Sequence, residues 1–129
     1  MMQNPFLETD WDRRYIWEML VRRDINAFLI GNWSMVADDF IEEGFLGIDA
    51  AHSGNPDDWK FEFPELGLYK AEWLKQAASF KDESWGEDPE AALFRVSRIS
   101  DIQINGNSAL VNKKLYGDIT KSGGQKTTF

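Results

Sequence analysis

The spacing of the apolar residues changes along this chain, and this change constrains the fold more than any other feature. From position 11 the apolar residues return every three or four positions, as in the row Trp17, Val21 and Phe28, which predicts a long helix with one buried face. Between positions 93 and 119 they alternate with polar residues, the two-residue period of a strand. A helical period and a strand period that lie in separate segments predict an α+β domain.

Local signals mark the ends of the first helix. Thr9, followed by Asp10 and Asp12, offers a capping hydroxyl and two carboxylates for the positive end of the helix dipole. Gly31 suits the left-handed residue after a helix, and Asn32 suits the cap of the next one. We therefore expect a tight joint and a short second helix that buries Trp33, Val36, Ala37 and Phe40.

The middle of the chain predicts two short strands and a third helix. Residues 45–50 and 59–63 are strand-like, and the loop-forming segment 52–58 separates them. Pro64 suits a first helical turn. After it the apolar residues recur at helical steps, at Leu66, Tyr69, Trp73, Ala77 and Phe80. Residues 81–92 are acidic and rich in turn formers, which predicts a connection.

Residues 93–104 and 108–119 predict two long strands joined by Asn-Gly-Asn, residue types that favour a hairpin turn. If the first two of these three residues form the loop, Arg98 lies opposite Lys113, a pair of like charges. Cross-strand pairs contribute up to about 1 kcal/mol, so we expect the last two to form the loop. Two glycines at 123–124 predict another turn, and residues 126–129 predict the start of a further strand.

The order helix, helix, strand, short strand, helix, long strand, long strand resembles the nuclear transport factor 2-like superfamily, which includes the polyketide cyclase-like (SnoaL-like) proteins. Residues 27–40, 64–80 and 96–117 carry the resemblance. It implies a cone-shaped, strongly curved antiparallel sheet around the long first helix, with an apolar pocket open at one end. The superfamily pattern continues with two more strands, so we expect residues 1–129 to form one such domain that is truncated or has a swapped or disordered C-terminal end.

The resemblance also implies a class of function. The superfamily includes isomerases, dehydratases and cyclases of small apolar molecules, and its members commonly dimerise through the outer face of the sheet. We therefore expect a homodimer whose pocket binds a small apolar molecule and catalyses proton transfer without a cofactor. The alternative is a non-catalytic dimerisation or association module.

Two cations interrupt the predicted inner face of the long hairpin. Arg98 and Lys113 share the parity of its apolar residues, and an unpaired buried charge is costly. One explanation is functional: both face a pocket and hold an anionic substrate or stabilise an enolate. The other is structural: the inward charge belongs to a buried ion pair, or a bulge turns Arg98 outward.

A catalytic pocket also needs an acid or a base. Asp39, or its neighbour Asp38, at the end of the second predicted helix, and Asp49, at the end of the first strand, are candidates, because an apolar wall raises the pKa of a carboxyl. His52, the sole histidine, is a surface residue, a pocket acid or base, or a metal ligand. A single histidine and no cysteine give no metal motif, so we predict no metal site.

Aromatic residues are abundant, with 6 Trp, 9 Phe and 3 Tyr. Their helical spacing suits core packing, and a wall for a flat ligand is the alternative. In that second interpretation Trp33 and Trp73 contact the ligand, and Tyr15 donates a hydrogen bond to it.

Composition excludes several other classes of protein. The absence of cysteine excludes disulfides, thiolate metal sites and cysteine nucleophiles. The net charge of −8 argues against nucleic-acid binding, because Lys and Arg supply phosphate contacts. The sequence has neither a signal-peptide pattern at its start nor an apolar run of about 18 residues. We therefore expect a cytoplasmic protein that binds neither nucleic acid nor membrane.

Overall fold

The long first helix is confirmed, with a change of helix type in its middle. A computed structural model describes residues 2–129. Helices α1 (Trp11–Trp17) and α2 (Asp24–Ile30) are joined by a π-helical segment, Glu18–Arg23, in which the backbone stays helical. The cap is Asp10, whose carboxylate accepts a hydrogen bond from the backbone N–H of Arg13 at 3.4 Å. The helix therefore begins where predicted, with Asp10 in the role expected of Thr9.

The joint after this helix is confirmed, but the second helix is shorter than expected. Gly31 has φ +68°, the left-handed conformation that glycine adopts without strain. The side chain of Asn32 accepts a hydrogen bond from the N–H of Ser34 at 3.1 Å. Two 3₁₀ turns follow, Trp33–Met35 and Ala37–Asp39, in place of one α-helix.

The middle of the chain follows the prediction closely. Strands β1 (Gly47–Asp49) and β2 (Lys60–Phe63) pair antiparallel, and a 3₁₀ turn, Pro56–Asp58, lies in the loop between them. Helix α3 (Leu66–Asp82) then buries one face. Its buried side chains are Trp73, Ala77 and Phe80, all on the predicted apolar face.

The first long strand begins later than predicted, because residues 93–96 are helical. They belong to α4 (Pro89–Val96), which has Pro89 in its first turn. The segment that follows Pro89 is rich in Glu, Ala and Leu, which favour helix. Its buried residues are Ala92, Leu93, Phe94 and Val96, and Val96 lies three and four positions after Leu93 and Ala92, at helical spacing. The strand prediction for 93–96 was wrong because four residues are too few to separate the two periods.

Strand β3 (Ser97–Asn105) follows α4 directly and pairs antiparallel with β4 (Ser108–Leu115). Asn105 lies opposite Ser108, which confirms the loop at Gly106 and Asn107.

The hairpin contains one irregularity that changes the orientation of a predicted site residue. The register shifts between Ile99 and Asp101, so Ser100 is an extra residue on β3. Before this bulge Arg98 lies opposite Lys114, and its side chain is exposed. The structural explanation, a bulge that turns Arg98 outward, is therefore confirmed, because one extra residue moves a side chain to the other face. The functional explanation, in which Arg98 faces a pocket, was wrong.

The second long strand is interrupted, and its last part pairs elsewhere. Gly117 has φ +135°, and a Cβ there would approach Val96 Cγ1 at 3.0 Å, so this position requires glycine. Strand β5 (Asp118–Thr120) then pairs antiparallel with β6 (Lys126–Thr128) through the predicted turn.

The domain is of the α+β class, as predicted. Within residues 2–129 the strands form three separate two-stranded sheets, β1–β2, β3–β4 and β5–β6. The continuous curved sheet of the predicted cone is not present among these strand pairs.

Two clusters of buried side chains hold the elements together. The first core comprises Trp17, Val21, Ile25, Phe80, Ala92, Leu93, Phe94, Val96 and Ile119. The second core comprises Ala27, Trp33, Val36, Trp73 and Ala77. Phe28 packs against both cores.

Candidate functional site

A cavity of about 350 Å³ lies where α2, α3, α4, β3 and β4 meet, and we call it the inner cavity. This volume is within the range of about 300–1,000 Å³ that is usual for small-molecule sites. Its lining is formed by Asp24, Ile25, Phe28, Tyr69, Trp73, Gln76, Leu93, Ser97, Lys113, Leu115 and Phe129.

An ion pair provides the charges of the inner cavity. Lys113 Nζ donates hydrogen bonds to Asp24 Oδ2 at 2.8 Å and to the Leu20 carbonyl at 2.6 Å. The side chains of Lys113 and Asp24 are 24% and 33% exposed. The pair carries no net charge, which makes its partial burial less costly than that of a lone charge. Lys113 therefore matches the structural explanation of an inward cation, an ion pair.

The π-helical segment takes part in this contact. Leu20 lies within the segment, and Asp24 is the residue that follows it. Leu20 and Asp24 therefore offer an oxygen to the same ammonium group, 93 and 89 residues away along the chain. An ammonium has three protons, so one N–H of Lys113 is left for a ligand. π-helical turns of this kind frequently occur at functional sites.

Tyr69 contributes a second hydrogen-bond donor. Burial raises the pKa of the Tyr69 phenol, and the negative charge of Asp24 raises it further. The hydroxyl therefore stays protonated at neutral pH and can donate to an oxygen of a ligand. Trp73 lies beside it and meets Phe28 edge to face, with ring centroids 5.6 Å apart. The cavity thus combines aromatic walls with one carboxylate and the donors of Lys113 and Tyr69, beside the polar side chains of Gln76 and Ser97.

Only two of the predicted site residues meet in this cavity, Lys113 and Trp73. Trp33 is buried in the second core, where its ring lies 5.3 Å from that of Trp73. Tyr15 is 65% exposed on α1. Arg98 points to solvent because of the β-bulge described above.

The predicted acid and base residues are dispersed. Asp39 accepts hydrogen bonds from the Arg23 guanidinium at 2.6 and 3.0 Å. Asp49 is exposed and accepts one from the N–H of Ala51 at 2.9 Å. His52 is exposed in the following turn, with φ +57°. In the part of the chain that the structure describes, no three His, Asp or Glu side chains form a group able to hold a metal ion.

Asp24, Tyr69 and Ser97 line the cavity and were missed as site residues. A signal for Asp24 was present, because it continues the helical row Trp17, Val21 and Phe28. A charge on an apolar row is the same irregularity that pointed to Lys113 on the hairpin. The sequence pattern places Tyr69 on the apolar face of α3, where it is expected to pack in the core. It places Ser97 in a predicted strand, where a serine gives no sign of burial.

Comparisons of the chain with family models, with curated proteins and with solved structures found no match. Across residues 2–129, no helix combines the length and the apolar character needed to cross a membrane.

Proposed function

We propose that the inner cavity binds a small, largely apolar organic molecule that carries a carbonyl or hydroxyl oxygen. The observation that carries this proposal is the charge-balanced Lys113–Asp24 pair against aromatic walls. Apolar walls with a few convergent polar groups are typical of small-molecule sites. A flat ring would contact Phe28 and Trp73, while its oxygen accepts hydrogen bonds from Lys113 and Tyr69.

The same geometry supports proton transfer as the reaction of this site. Asp24 bonds to Lys113 through Oδ2, which leaves Oδ1 to accept a proton from a carbon next to a carbonyl. Negative charge then develops on the carbonyl oxygen, where the Lys113 ammonium and the Tyr69 hydroxyl stabilise it. We thus propose an isomerase, dehydratase or cyclase, with Asp24 as the base in place of Asp39, Asp49 or His52.

Membership of the nuclear transport factor 2-like superfamily is part of this proposal. The packing of the β3–β4 hairpin along the first helix supports it. Arg13 Nη2 donates a hydrogen bond to the Ile102 carbonyl at 3.1 Å, and Lys113 reaches Leu20 further along the helix. The hairpin therefore follows the helix over both its α1 and π-helical parts, with the inner cavity beside it.

A thermal-shift screen with naphthol and tetralone tests the binding proposal. A ligand at 100 times its dissociation constant stabilises the folded state by about 2.7 kcal/mol, so a ligand raises the melting temperature. Ser97→Leu places a larger side chain in the cavity and should remove this shift. The matched control is Ser100→Leu, because Ser100 is exposed on the same strand. The proposal is contradicted if neither compound raises the melting temperature of the wild type, or if the shift is the same in Ser97→Leu and Ser100→Leu.

The catalytic part is tested separately by hydrogen–deuterium exchange at the carbon next to the tetralone carbonyl, followed by NMR. Asp24→Asn should abolish enzyme-dependent exchange while the probe still binds. Asp12→Asn is the control, because Asp12 is an exposed carboxylate on the same long helix. Exchange at the uncatalysed rate with wild-type protein contradicts proton transfer and leaves binding in place.

The second candidate function is an association module that forms a homodimer through the β3–β4 sheet. Two large apolar side chains favour this candidate: Leu110 on β4 is 71% exposed, and Tyr116, the residue after β4, is 70% exposed. If so, the Leu110→Lys variant should be monomeric by light scattering while the wild type is dimeric. Lys114→Glu, on the same strand, is the charge-changing control. A monomeric wild type contradicts this candidate.

A further inference from the structure

A second depression lies between α3 and the β5–β6 hairpin, and we call it the outer groove. Its volume is about 330 Å³. It combines aromatic rings with polar and charged side chains, and none of its residues was predicted to bind a ligand. The lining residues are Phe28, Lys75, Gln76, Ser79, Phe80, Glu83, Trp85, Lys121, Thr127 and Phe129.

The outer groove and the inner cavity are neighbours. Phe28, Gln76 and Phe129 line both of them. Two of these three shared side chains are aromatic and the third is an uncharged amide. The boundary between the two spaces therefore consists of side chains that an apolar or aromatic molecule can contact without burying a charge.

The two spaces differ in charge. The inner cavity contains one cation and one carboxylate, which are paired. The outer groove contains two cations, Lys75 and Lys121, and one carboxylate, Glu83. Lys121 lies 3.4 Å from Glu83, whereas Lys75 forms no ion pair with any residue between 2 and 129. The groove thus has a positive excess in a chain whose net charge is −8.

From this difference we propose that the outer groove binds the anionic group of an organic acid whose aromatic or alicyclic body occupies the inner cavity. The position of the ligand's body rests on the proposed function of the inner cavity. The new part is the class of ligand, an organic acid whose anionic group lies in the outer groove. Among residues 2–129 Lys75 has no ion-pair partner to exchange for the ligand, so its charge is available to a carboxylate or sulfonate. Lys121 adds charge at the same groove while it stays close to Glu83.

Two fluorescent probes with the same aromatic skeleton separate the two halves of the site. Anilinonaphthalenesulfonate carries an anionic group, and phenylnaphthylamine is uncharged. Transfer of excitation energy from tryptophan reports binding, since Trp73 lines the inner cavity and Trp85 lines the outer groove. Near-ultraviolet circular dichroism confirms that each variant keeps its tertiary packing.

The decisive variant is Lys75→Gln. It should weaken binding of the sulfonate probe by about 1.5-fold to fivefold, the range expected for one solvent-accessible ion pair. Binding of the uncharged probe should not change. Lys75→Arg should retain the affinity. Lys81→Gln is the matched control, because it removes the same charge from an exposed position of α3 outside both spaces.

The inner half of the site is tested with Ser97→Leu, which should weaken both probes. Equal affinity of Lys75→Gln and Lys81→Gln for the sulfonate probe overturns the anionic assignment, while continued binding of the uncharged probe preserves the proposed function. A sulfonate probe that depends on Lys75 but not on Ser97 overturns the assignment of its body to the inner cavity. If neither probe binds the wild type, both proposals fail.

Discussion

The two hydrophobic cores are built in different ways. The first core joins residues from the long helix, α3, α4 and β5. Its largest almost completely buried side chains are Val21, Val96 and Ile119. The second core contains two tryptophans among small aliphatic side chains. Partly buried rings pack against it, with the Trp33 centroid 5.0 Å from that of Phe40 and 6.2 Å from that of Tyr69. Both Phe40 and Tyr69 remain partly exposed.

The space between the two cores is not completely filled. The inner cavity is at the boundary of the two cores, with Ile25 and Leu93 from the first and Trp73 from the second in its lining. The closely packed core holds the elements in place, and the ring cluster provides the wall.

The comparison is tested most strongly by Trp17→Ala in the first core. Trp17 is 3% exposed, stacks on Phe94 and carries the Arg22 guanidinium over its ring at 4.9 Å. Its loss should reduce the free energy of unfolding by about 3–5 kcal/mol, measured by urea denaturation. Trp11→Ala, at a position 79% exposed on the same helix, should cost less than about 0.5 kcal/mol. Similar losses in the two variants would mean that the first core does not hold the fold.

The second prediction concerns the ion pair at the boundary of the cores. Lys113→Met leaves the Asp24 carboxylate and the Leu20 carbonyl without their partner, which should cost about 1–3 kcal/mol. Lys114→Met, at the adjacent exposed position, should be nearly neutral. Adding Asp24→Asn to Lys113→Met should recover part of the loss, because no charge is then left unpaired. No recovery would indicate that Lys113 acts by packing and not by charge.

In the second core, Trp33→Phe should have a smaller effect than the loss of Trp17. The variant retains a ring that can stack on Phe40, and its partly exposed neighbours can repack, so we expect a loss of about 1–2 kcal/mol. Denaturation monitored by circular dichroism measures it. A loss as large as that of Trp17→Ala would show that the ring cluster is as closely packed as the first core.

The smallest expected effect is a pH dependence at the edge of the first core. The Glu87 carboxylate accepts hydrogen bonds from Arg95 at 2.6 and 3.2 Å and from the Thr120 N–H at 2.8 Å. These contacts, that from Arg95 above all, lower the pKa of Glu87 from 4.5 to about 2. The carboxylate therefore stabilises the fold above pH 4.5, and this contribution is lost as the pH falls toward 2.

A comparison of melting temperatures of the wild type and Glu87→Gln across this pH range tests the effect. The advantage of the wild type should be largest above pH 4.5 and should disappear near pH 2. Glu90→Gln, in the first turn of α4, provides the control for general acid destabilisation. A constant difference between wild type and Glu87→Gln would mean that the carboxylate is not held by Arg95 and Thr120.

Most helices and turns could be predicted from the sequence, because the signals that define them are local. The apolar face of α3 is a repeat within 17 residues, and Gly31 and Asn32 determine the joint through their own backbone and side-chain preferences. The loop of the β3–β4 hairpin was predicted correctly from the charge of Arg98, although the bulge places Arg98 opposite another cation, Lys114. The sequence did not predict helix α4, because its first four residues resemble a connection and its last four resemble the start of a strand.

The candidate site depended on contacts that no local pattern contains. The sequence marked Lys113 as a charge on an apolar face, but only the tertiary structure shows that Asp24, 89 residues earlier, is its partner. The bulge at Ser100 likewise turned Arg98 outward, although each cation shares the parity of the apolar residues on its own strand. Periodicity determines which face of an element is apolar, whereas the position of each charge depends on how the elements pack against one another.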